Sequence, residues 1–280
     1  EDKRVAYTVD CEASGCDVYF SVKKATDFGQ LIGATVEDLM VERPVMAGDR
    51  RNPLDFALWK SRDDLGITWH SPWGDGRPGW HVECTAMATK YLGNDFDIHG
   101  GGLDLVFPHH ESERAIGEAV SGQRYCNYYL HNGFVTVGDQ KMSKSLGNFV
   151  TVKDLLARHD AEVIRTFLLE AHYRAPLNYD TAGIAATKKR VERWRTQLGQ
   201  VTQNAHQHEP AAALAAPMCN ARDAFWAALG DDFHTDRALD ALDDALAAAS
   251  RLRGADAAAA LRFLREAARA TGLLWDLREE

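Results

Sequence analysis

Three side chains that can hold a metal ion lie in the middle of the chain: Cys84, His109 and Glu113. His109 and Glu113 are four residues apart on a predicted helix, so their side chains share one face. With Cys84 on the preceding predicted helix, a thiolate, an imidazole and a carboxylate can bind Zn²⁺ and leave a fourth position open. An exposed acidic neighbour of a helix-start histidine explains the same spacing. His110 is an alternative ligand, but it would point about 100° around the helix.

A run of glycines could bring the backbone close to a nucleotide. Gly100, Gly101 and Gly102 follow His99 after the short apolar run 96–98. Without side chains, they would let the main chain approach phosphate groups. A tight turn explains the glycines equally well.

Two lysines could contribute positive charge. Lys141 and Lys144 belong to the string KMSKS, which is followed by Gly147. Their ammonium groups could stabilise charge on a phosphate during its transfer. On composition alone, a solvated basic loop is the better explanation.

Trp80, next to Gly79, is a candidate platform on which a substrate could pack. The chain has seven tryptophans, and a core or hinge role for Trp80 fits its position equally well.

Alternating strands and helices are predicted to position these side chains. Helices are predicted over 79–92, introduced by Pro78, and from about 108 to 120. A strand at 96–98 separates them, and a strand or hairpin at 128–137 follows. This alternation, with glycine at the end of a strand, predicts an open α/β sheet that binds ligands at its carboxyl-terminal edge.

The beginning of the chain predicts a β-hairpin, because apolar residues alternate over 5–9 and again over 18–22. Residues 26–75 are rich in turn-forming residues, which indicates an irregular insertion.

The end of the chain predicts a helical bundle, because alanine supplies 23 of the last 70 residues. Apolar side chains recur at helical spacing over 184–201, 236–249 and 256–272. We expect Thr235 to cap the second of these helices and Gly254 to end it. Residues 206–217 are expected to form a loop within the bundle.

Composition limits the class of protein. Of the 280 residues, 45% are hydrophobic and 26% are charged, which is typical of a globular protein and excludes a disordered or collagen-like chain. No apolar run is long enough for a membrane span, and residues 1–9 lack a signal-peptide core, so a cytoplasmic location is expected. The net charge of −9 does not favour nucleic-acid binding, although a local basic groove could provide it. Five unevenly spaced cysteines indicate metal ligation or burial rather than disulfides.

Together, these motifs resemble the cysteine-specific class I aminoacyl-tRNA synthetases. KMSKS is the class I signature, and the longer string KMSKSLGNFVTV resembles the cysteine-specific family. Further similar strings occur in the family's order: RNPLDFALWK, GRPGWHVECTAM, DIHGGGLDLVFPHHESE, HYRAPLNY and, less fully, DDFHT. The resemblance therefore covers nearly the whole chain.

The resemblance implies ATP-dependent activation of L-cysteine to cysteinyl-adenylate and transfer of the cysteine to tRNA(Cys). It also implies that Cys84, His109 and Glu113 are three of four ligands of a Zn²⁺ ion that binds the substrate thiolate. Serine cannot form that bond, so selection for cysteine would need no separate editing step. Trp80 would line the cysteine pocket.

For ATP, which would bind with Mg²⁺, the resemblance implies catalytic roles for Lys144 and, assisting it, Lys141. Further ATP-binding residues would lie near the adenylate: His99, Gly100, Gly101 and Gly102.

The implied fold is the second half of a Rossmann-like α/β catalytic domain with a connective insertion, followed by an all-α bundle. The expected segments are the insertion at 1–75, the half-domain with the KMSKS loop at 76–150, a linking segment at 151–181 and the bundle at 182–280. The family's amino-terminal half, with its HIGH motif and fourth zinc cysteine, has no counterpart in this sequence, nor has its anticodon-binding region. We therefore expect an incomplete form, inactive alone and monomeric when complete.

Three alternatives remain. A cysteine ligase of mycothiol synthesis, which acts on a glucosaminyl-inositol acceptor, shares the adenylating core and lacks an anticodon domain. The strings LGNFVTV and HYRAPLNY favour the tRNA enzyme over it. A non-catalytic binding module derived from a synthetase is the second alternative. A zinc hydrolase is the third, although the sequence offers no evident general base for it.

Overall fold

The computed structural model describes residues 5–12, 15–25, 27–42, 50–61, 66–138, 140–142, 147, 149–274 and 277. The chain divides into two compact units, Glu1–His131 and Asn132–Glu280. This division falls inside the segment 76–150 that the sequence assigned to the catalytic half-domain.

The first unit opens with a four-stranded antiparallel sheet in the order β1-β2-β3-β4. Its strands are β1 (Ala6–Glu12), β2 (Gly15–Phe20), β3 (Phe56–Lys60) and β4 (Arg77–Pro78). The pairing of β1 with β2 confirms the predicted hairpin. One face of the sheet buries aromatic side chains, with the rings of Phe20 and Phe56 stacked at 4.9 Å.

The hairpin also corrects the expectation for its cysteines. Cys11 and Cys16 lie on β1 and β2 and are joined by a disulfide, with their Cα atoms 4.3 Å apart. Antiparallel pairing brings the two residues within bonding reach. Burial or metal ligation is therefore the wrong interpretation for this pair, whereas Cys84, Cys126 and Cys219 are free thiols.

Residues 26–75 contain more regular structure than the sequence indicates. Helix α1 (Val36–Glu42) and strand β3 both lie in this range. The strand forms because β2 offers it a pairing edge, which is a tertiary effect that local turn composition does not report. Residues 26, 43–49 and 62–65 lie outside the described residues.

The elements that carry the candidate metal ligands follow in alternation. They are α2 (Trp80–Leu92), β5 (Phe96–Gly102), a turn at Val106–His110 in which Phe107 has an extended backbone, α3 (Glu111–Ser121) and β6 (Cys126–Asn132). The two helices confirm the predictions at 79–92 and 108–120. Strands β5 and β6 pair with each other.

The run 128–137 forms two strands rather than one hairpin. The second of them, β7 (Val135–Val137), pairs antiparallel with β8 (Gln140–Lys141) and parallel with β9 (Leu177–Asn178). The described strands therefore lie in three small sheets.

The second unit is mainly helical. Its helices are α4 (Val152–Leu156), α5 (Ala161–Leu169), α6 (Thr181–Ala205), α7 (Ala216–Gly230), α8 (Thr235–Ala249) and α9 (Gly254–Thr271). The apolar faces of α5 to α9 enclose a core around Trp194, Phe225, Leu242 and Leu264. The chain is thus an α/β region followed by an all-α bundle, as expected.

Three details of the bundle differ from the prediction. Helix α7 was not predicted, and Pro217, which was assigned to the loop, lies in its first turn, where proline is well tolerated. His234 is the N-cap of α8, and Thr235 is its first residue. Helix α8 ends at Ala249, so Gly254 begins α9 instead of ending α8.

Candidate metal and substrate site

The amino-terminal end of α2 places Trp80, His81 and Cys84 close together. The helix starts directly after Gly79, and a β-carbon at that position would clash with the carbonyl oxygen of Ala57. Glycine therefore lets α2 start close against β3. Because residues three and four apart share a helix face, Cys84 lies one turn beyond Trp80 and His81.

Glu113 is the centre of the site, and its side chain is 1% exposed. His109 Nε2, from the turn that precedes α3, lies 2.6 Å from Glu113 Oε1. His99 Nε2, on β5, lies 2.5 Å from Glu113 Oε2, without the alignment of a hydrogen bond. Among the described residues Oε2 is thus a buried carboxylate oxygen with no hydrogen-bond partner. Burial of such an oxygen is costly unless a donor or a cation compensates it.

Two sets of potential metal ligands share this carboxylate. Ligand atoms of Cys84, His109 and Glu113 lie within 4.8 Å of one another, and so do those of His99, His110 and Glu113. The structure therefore brings the three predicted ligands together and assigns His110 to the other set. Sulfur, nitrogen and oxygen donors, with one buried carboxylate oxygen that has no aligned hydrogen bond, fit Zn²⁺.

Burial shifts the pKa values of groups beside the ligands. Burial, followed by the charge of Glu113, raises the pKa of the Cys84 thiol. Burial, followed by the nearby His109, lowers the pKa of His81 to about 4. His81 is therefore neutral at pH 7, and its Nδ1 lies 2.8 Å from His109 Nδ1. One ring donates to the other, which fixes the orientation of the His109 imidazole.

A second histidine pair lies on the other side of Glu113. His110 Nδ1 lies 2.8 Å from His131 Nε2, which is on β6. Burial, and then the nearby His99, lower the pKa of His110 to about 4. His110 therefore enters the site as a neutral ring.

The three glycines after His99 have conformations open to any residue, since none has a left-handed φ. A β-carbon on Gly101 would nevertheless lie 2.8 Å from His110 Cε1. Close packing against His110 therefore accounts for Gly101, and the predicted contact of this segment with ATP stays a prediction.

Trp80 borders the cluster and is open to solvent. Its indole stacks on the His109 ring, with the ring centroids 4.5 Å apart, and the residue is 58% exposed. Trp80 thus offers a free aromatic surface directly beside a candidate metal ligand.

Sequence reasoning missed His81 and His131. His81 had a readable signal, because it lies three residues before Cys84 on the same helix. His131 had none, since it reaches the site only through the pairing of β5 with β6.

The lysines of the KMSKS string are only partly within the described residues. Lys141 is the second residue of β8. Lys144 lies outside the described residues, so the catalytic roles predicted for both lysines stay predictions.

The sequence matches a known family and many curated relatives. The family described as "tRNA synthetases class I (C) catalytic domain" matches residues 1–189. The cysteine--tRNA ligase of Halorhodospira halophila is 48% identical over 263 residues, which is 92% of this chain and 55% of that protein. The cysteine--tRNA ligases of Pelotomaculum thermopropionicum and Thermococcus gammatolerans are each 47% identical, over 86% and 80% of this chain and 50% and 49% of their own lengths. The chain thus spans about half the length of the curated relatives it matches.

A solved structure shares the fold. The LeuRS of Agrobacterium radiobacter K84, determined in a ternary complex with tRNA and LeuAMS, aligns with a TM-score of 0.57 at 20% identity. The alignment covers 85% of this chain and 37% of that protein. Within the described part of the chain, the helices are too short or too polar to cross a membrane. Because the family match covers well over half of the sequence, the chain belongs to the class I tRNA synthetase catalytic-domain family of the cysteine type.

Proposed function

We propose that this chain carries the cysteine-binding part of a cysteine--tRNA ligase, which activates L-cysteine with ATP and transfers it to tRNA(Cys). The observation that carries the proposal is the convergence of Cys84, His109 and Glu113 beside the exposed ring of Trp80, where one buried oxygen of Glu113 has no aligned hydrogen bond. The identity of 47–48% to cysteine--tRNA ligases supports it.

Cys84, His109 and Glu113 would hold the zinc ion, which supplies a soft Lewis acid that binds a thiolate far better than a hydroxyl. His81 orients His109 through the contact between their Nδ1 atoms. Trp80, which stacks on His109, would offer its exposed surface to the substrate. Discrimination against serine then depends on the bond between zinc and the thiolate, because the serine hydroxyl is a much poorer ligand.

The ATP site is assigned to residues that carry positive charge or lie near the adenylate. Lys144, with Lys141 assisting, would stabilise the charge that develops on the phosphates of ATP–Mg²⁺. His99 and the glycines at 100–102 would border the adenylate. For His99 this is a second role, because its ring already contacts Glu113.

We further assign residues 1–75 to the connective insertion, 76–150 to the second half of the catalytic domain, 151–181 to a linking segment and 182–280 to the helical bundle. The complete enzyme is assigned as a cytoplasmic monomer that acts on tRNA.

Cysteine-dependent exchange of pyrophosphate into ATP tests the reaction, and charging of tRNA(Cys) tests the acceptor. The chain is assayed alone and after fusion to the amino-terminal half of the H. halophila relative. We expect exchange in the fusion that requires cysteine and that serine does not support. Cysteine-dependent exchange without tRNA charging, but with transfer to an amino-sugar acceptor, would contradict the tRNA ligase assignment. Exchange that serine supports equally would contradict the role of the metal site.

A further inference from the structure

The turn between α7 and α8 holds two consecutive non-glycine residues in the left-handed region. Asp232 has φ +52° and Phe233 has φ +57°. This conformation is uncommon outside glycine, and for a bulky side chain such as phenylalanine it is an outlier. Such a backbone persists only where surrounding contacts hold it, and it often marks a functional position.

Asp232 is held by three consecutive residues that follow α5. Arg174 donates to both carboxylate oxygens, at 2.6 and 3.1 Å. The Tyr173 hydroxyl donates to Oδ1 at 2.9 Å, and His172 Nε2 lies 2.9 Å from the Asp232 carbonyl oxygen. Paired bonds from one guanidinium to a carboxylate combine strength with a defined geometry. The side chain of Asp232 is thus tied to the turn at 172–174, and we name this set of contacts the Asp232 clamp.

The same turn is bonded on its other side to the strand β7. The Gly133 N–H donates to Tyr173 O at 2.7 Å, and the Tyr179 N–H donates to Thr136 O, also at 2.7 Å. Between these bonds β9 runs parallel to β7. A β-carbon on Gly133 would clash with the Ala175 carbonyl oxygen, so the two segments lie in direct contact. Segment 172–179 therefore links β7 to the turn between two bundle helices.

Strand β7 leads into the KMSKS string. Its antiparallel partner β8 ends at Lys141, the first residue of the string, and the Met142 N–H donates to Val135 O at 3.0 Å. A displacement of β7 against the bundle would therefore displace the start of the KMSKS string.

We propose that Asp232 is a positioning residue which, through segment 172–179, fixes β7 and the start of the KMSKS string against the helical bundle. The inference rests on the proposed function, because the positioned string is the one assigned to ATP. It also gives a role to the strings HYRAPLNY and DDFHT, which the chemistry of the cysteine site does not use.

Amide hydrogen exchange on the chain itself tests the mechanical link. Asp232→Gly removes the carboxylate, while glycine accepts the left-handed backbone without strain. We expect the Gly133 and Tyr179 amides to exchange about tenfold faster or more in this variant, with amides in α9 unchanged. Asp232→Asn keeps an acceptor oxygen and tolerates the backbone, so its exchange rates should be intermediate. Asp231→Asn is the matched control, because that carboxylate pairs with Arg237 instead.

Kinetics of the fused enzyme test the consequence for the reaction. Asp232→Gly should lower kcat for cysteine-dependent pyrophosphate exchange about tenfold and leave KM for cysteine unchanged. Asp232→Asn should lower kcat less, because it keeps an acceptor oxygen. Unchanged exchange of the Gly133 and Tyr179 amides would overturn the mechanical link. Faster amide exchange with unaltered kcat would overturn the positioning role. Absence of activity in the unsubstituted fusion would instead reject the proposed function, while the amide data would still decide whether Asp232 holds β7.

Discussion

Gly101 and His110 pack so closely that a β-carbon on Gly101 would lie 2.8 Å from His110 Cε1. Gly101→Ala should therefore displace the His110 ring, and we expect a loss of about 1–3 kcal/mol of unfolding free energy in urea. Gly100→Ala is the matched control, because its β-carbon would meet only Leu130 O at 3.6 Å. Equal effects of the two substitutions would show that contact with His110 is not what requires glycine at 101.

A buried arginine on α3, Arg114, stabilises the first unit through ion pairs. Arg114 pairs with Glu111 at 2.7 Å and with Asp27 at 2.6 Å, and Glu111 is fully buried. Arg114→Ala leaves the Glu111 carboxylate without its counter-charge, which should cost about 3–5 kcal/mol of unfolding free energy. Denaturant unfolding measures this cost.

The control for Arg114 is Arg222→Ala, which removes an exposed pair with Asp223 and should lower the unfolding free energy far less, because water screens that pair. An Arg114→Ala cost as small as that of Arg222→Ala would mean that the buried pair adds no stability.

The Asp232 clamp should weaken only in strong acid. Hydrogen bonds from Arg174 and Tyr173 lower the pKa of Asp232 from 3.8 to about 2. A carboxyl group whose folded pKa is depressed contributes its full stability above the unfolded value and loses it as the pH falls through the folded value. The difference in urea midpoint between the parent chain and Asp232→Gly should therefore be constant above about pH 4 and shrink toward pH 2. A change near neutral pH would contradict the assignment of the effect to the Asp232 carboxylate.

The convergence of the three candidate ligands is predictable because it depends on local geometry. Helical spacing fixes His109 and Glu113 on one face, and the preceding helix supplies Cys84. His131 joins the site only through strand pairing, which spacing along the chain does not reveal. The same limit applies to β3, which forms because β2 accepts it as a partner.

Local patterns also misplaced parts of the bundle. The buried stripe of α7 consists of Met218, Ala221, Phe225 and Ala228, and its small alanine side chains weaken the hydrophobic period. Gly254 has a left-handed φ of +57°, which is the conformation expected after a helix end, but it is used here to begin α9. A glycine in the sequence indicates a left-handed backbone conformation, but it does not show whether that conformation ends one helix or begins the next.

The central claim is that Cys84, His109 and Glu113 hold a metal ion that accepts the thiol of cysteine. Titration with Co²⁺ as a spectroscopic substitute for zinc tests it most directly, because a thiolate ligand produces an intense near-ultraviolet charge-transfer band. We predict that the band appears in the parent chain and in Cys219→Ser, disappears in Cys84→Ser, and grows when L-cysteine but not L-serine is added. A band that survives Cys84→Ser, or a spectrum that cysteine leaves unchanged, would contradict the assignment.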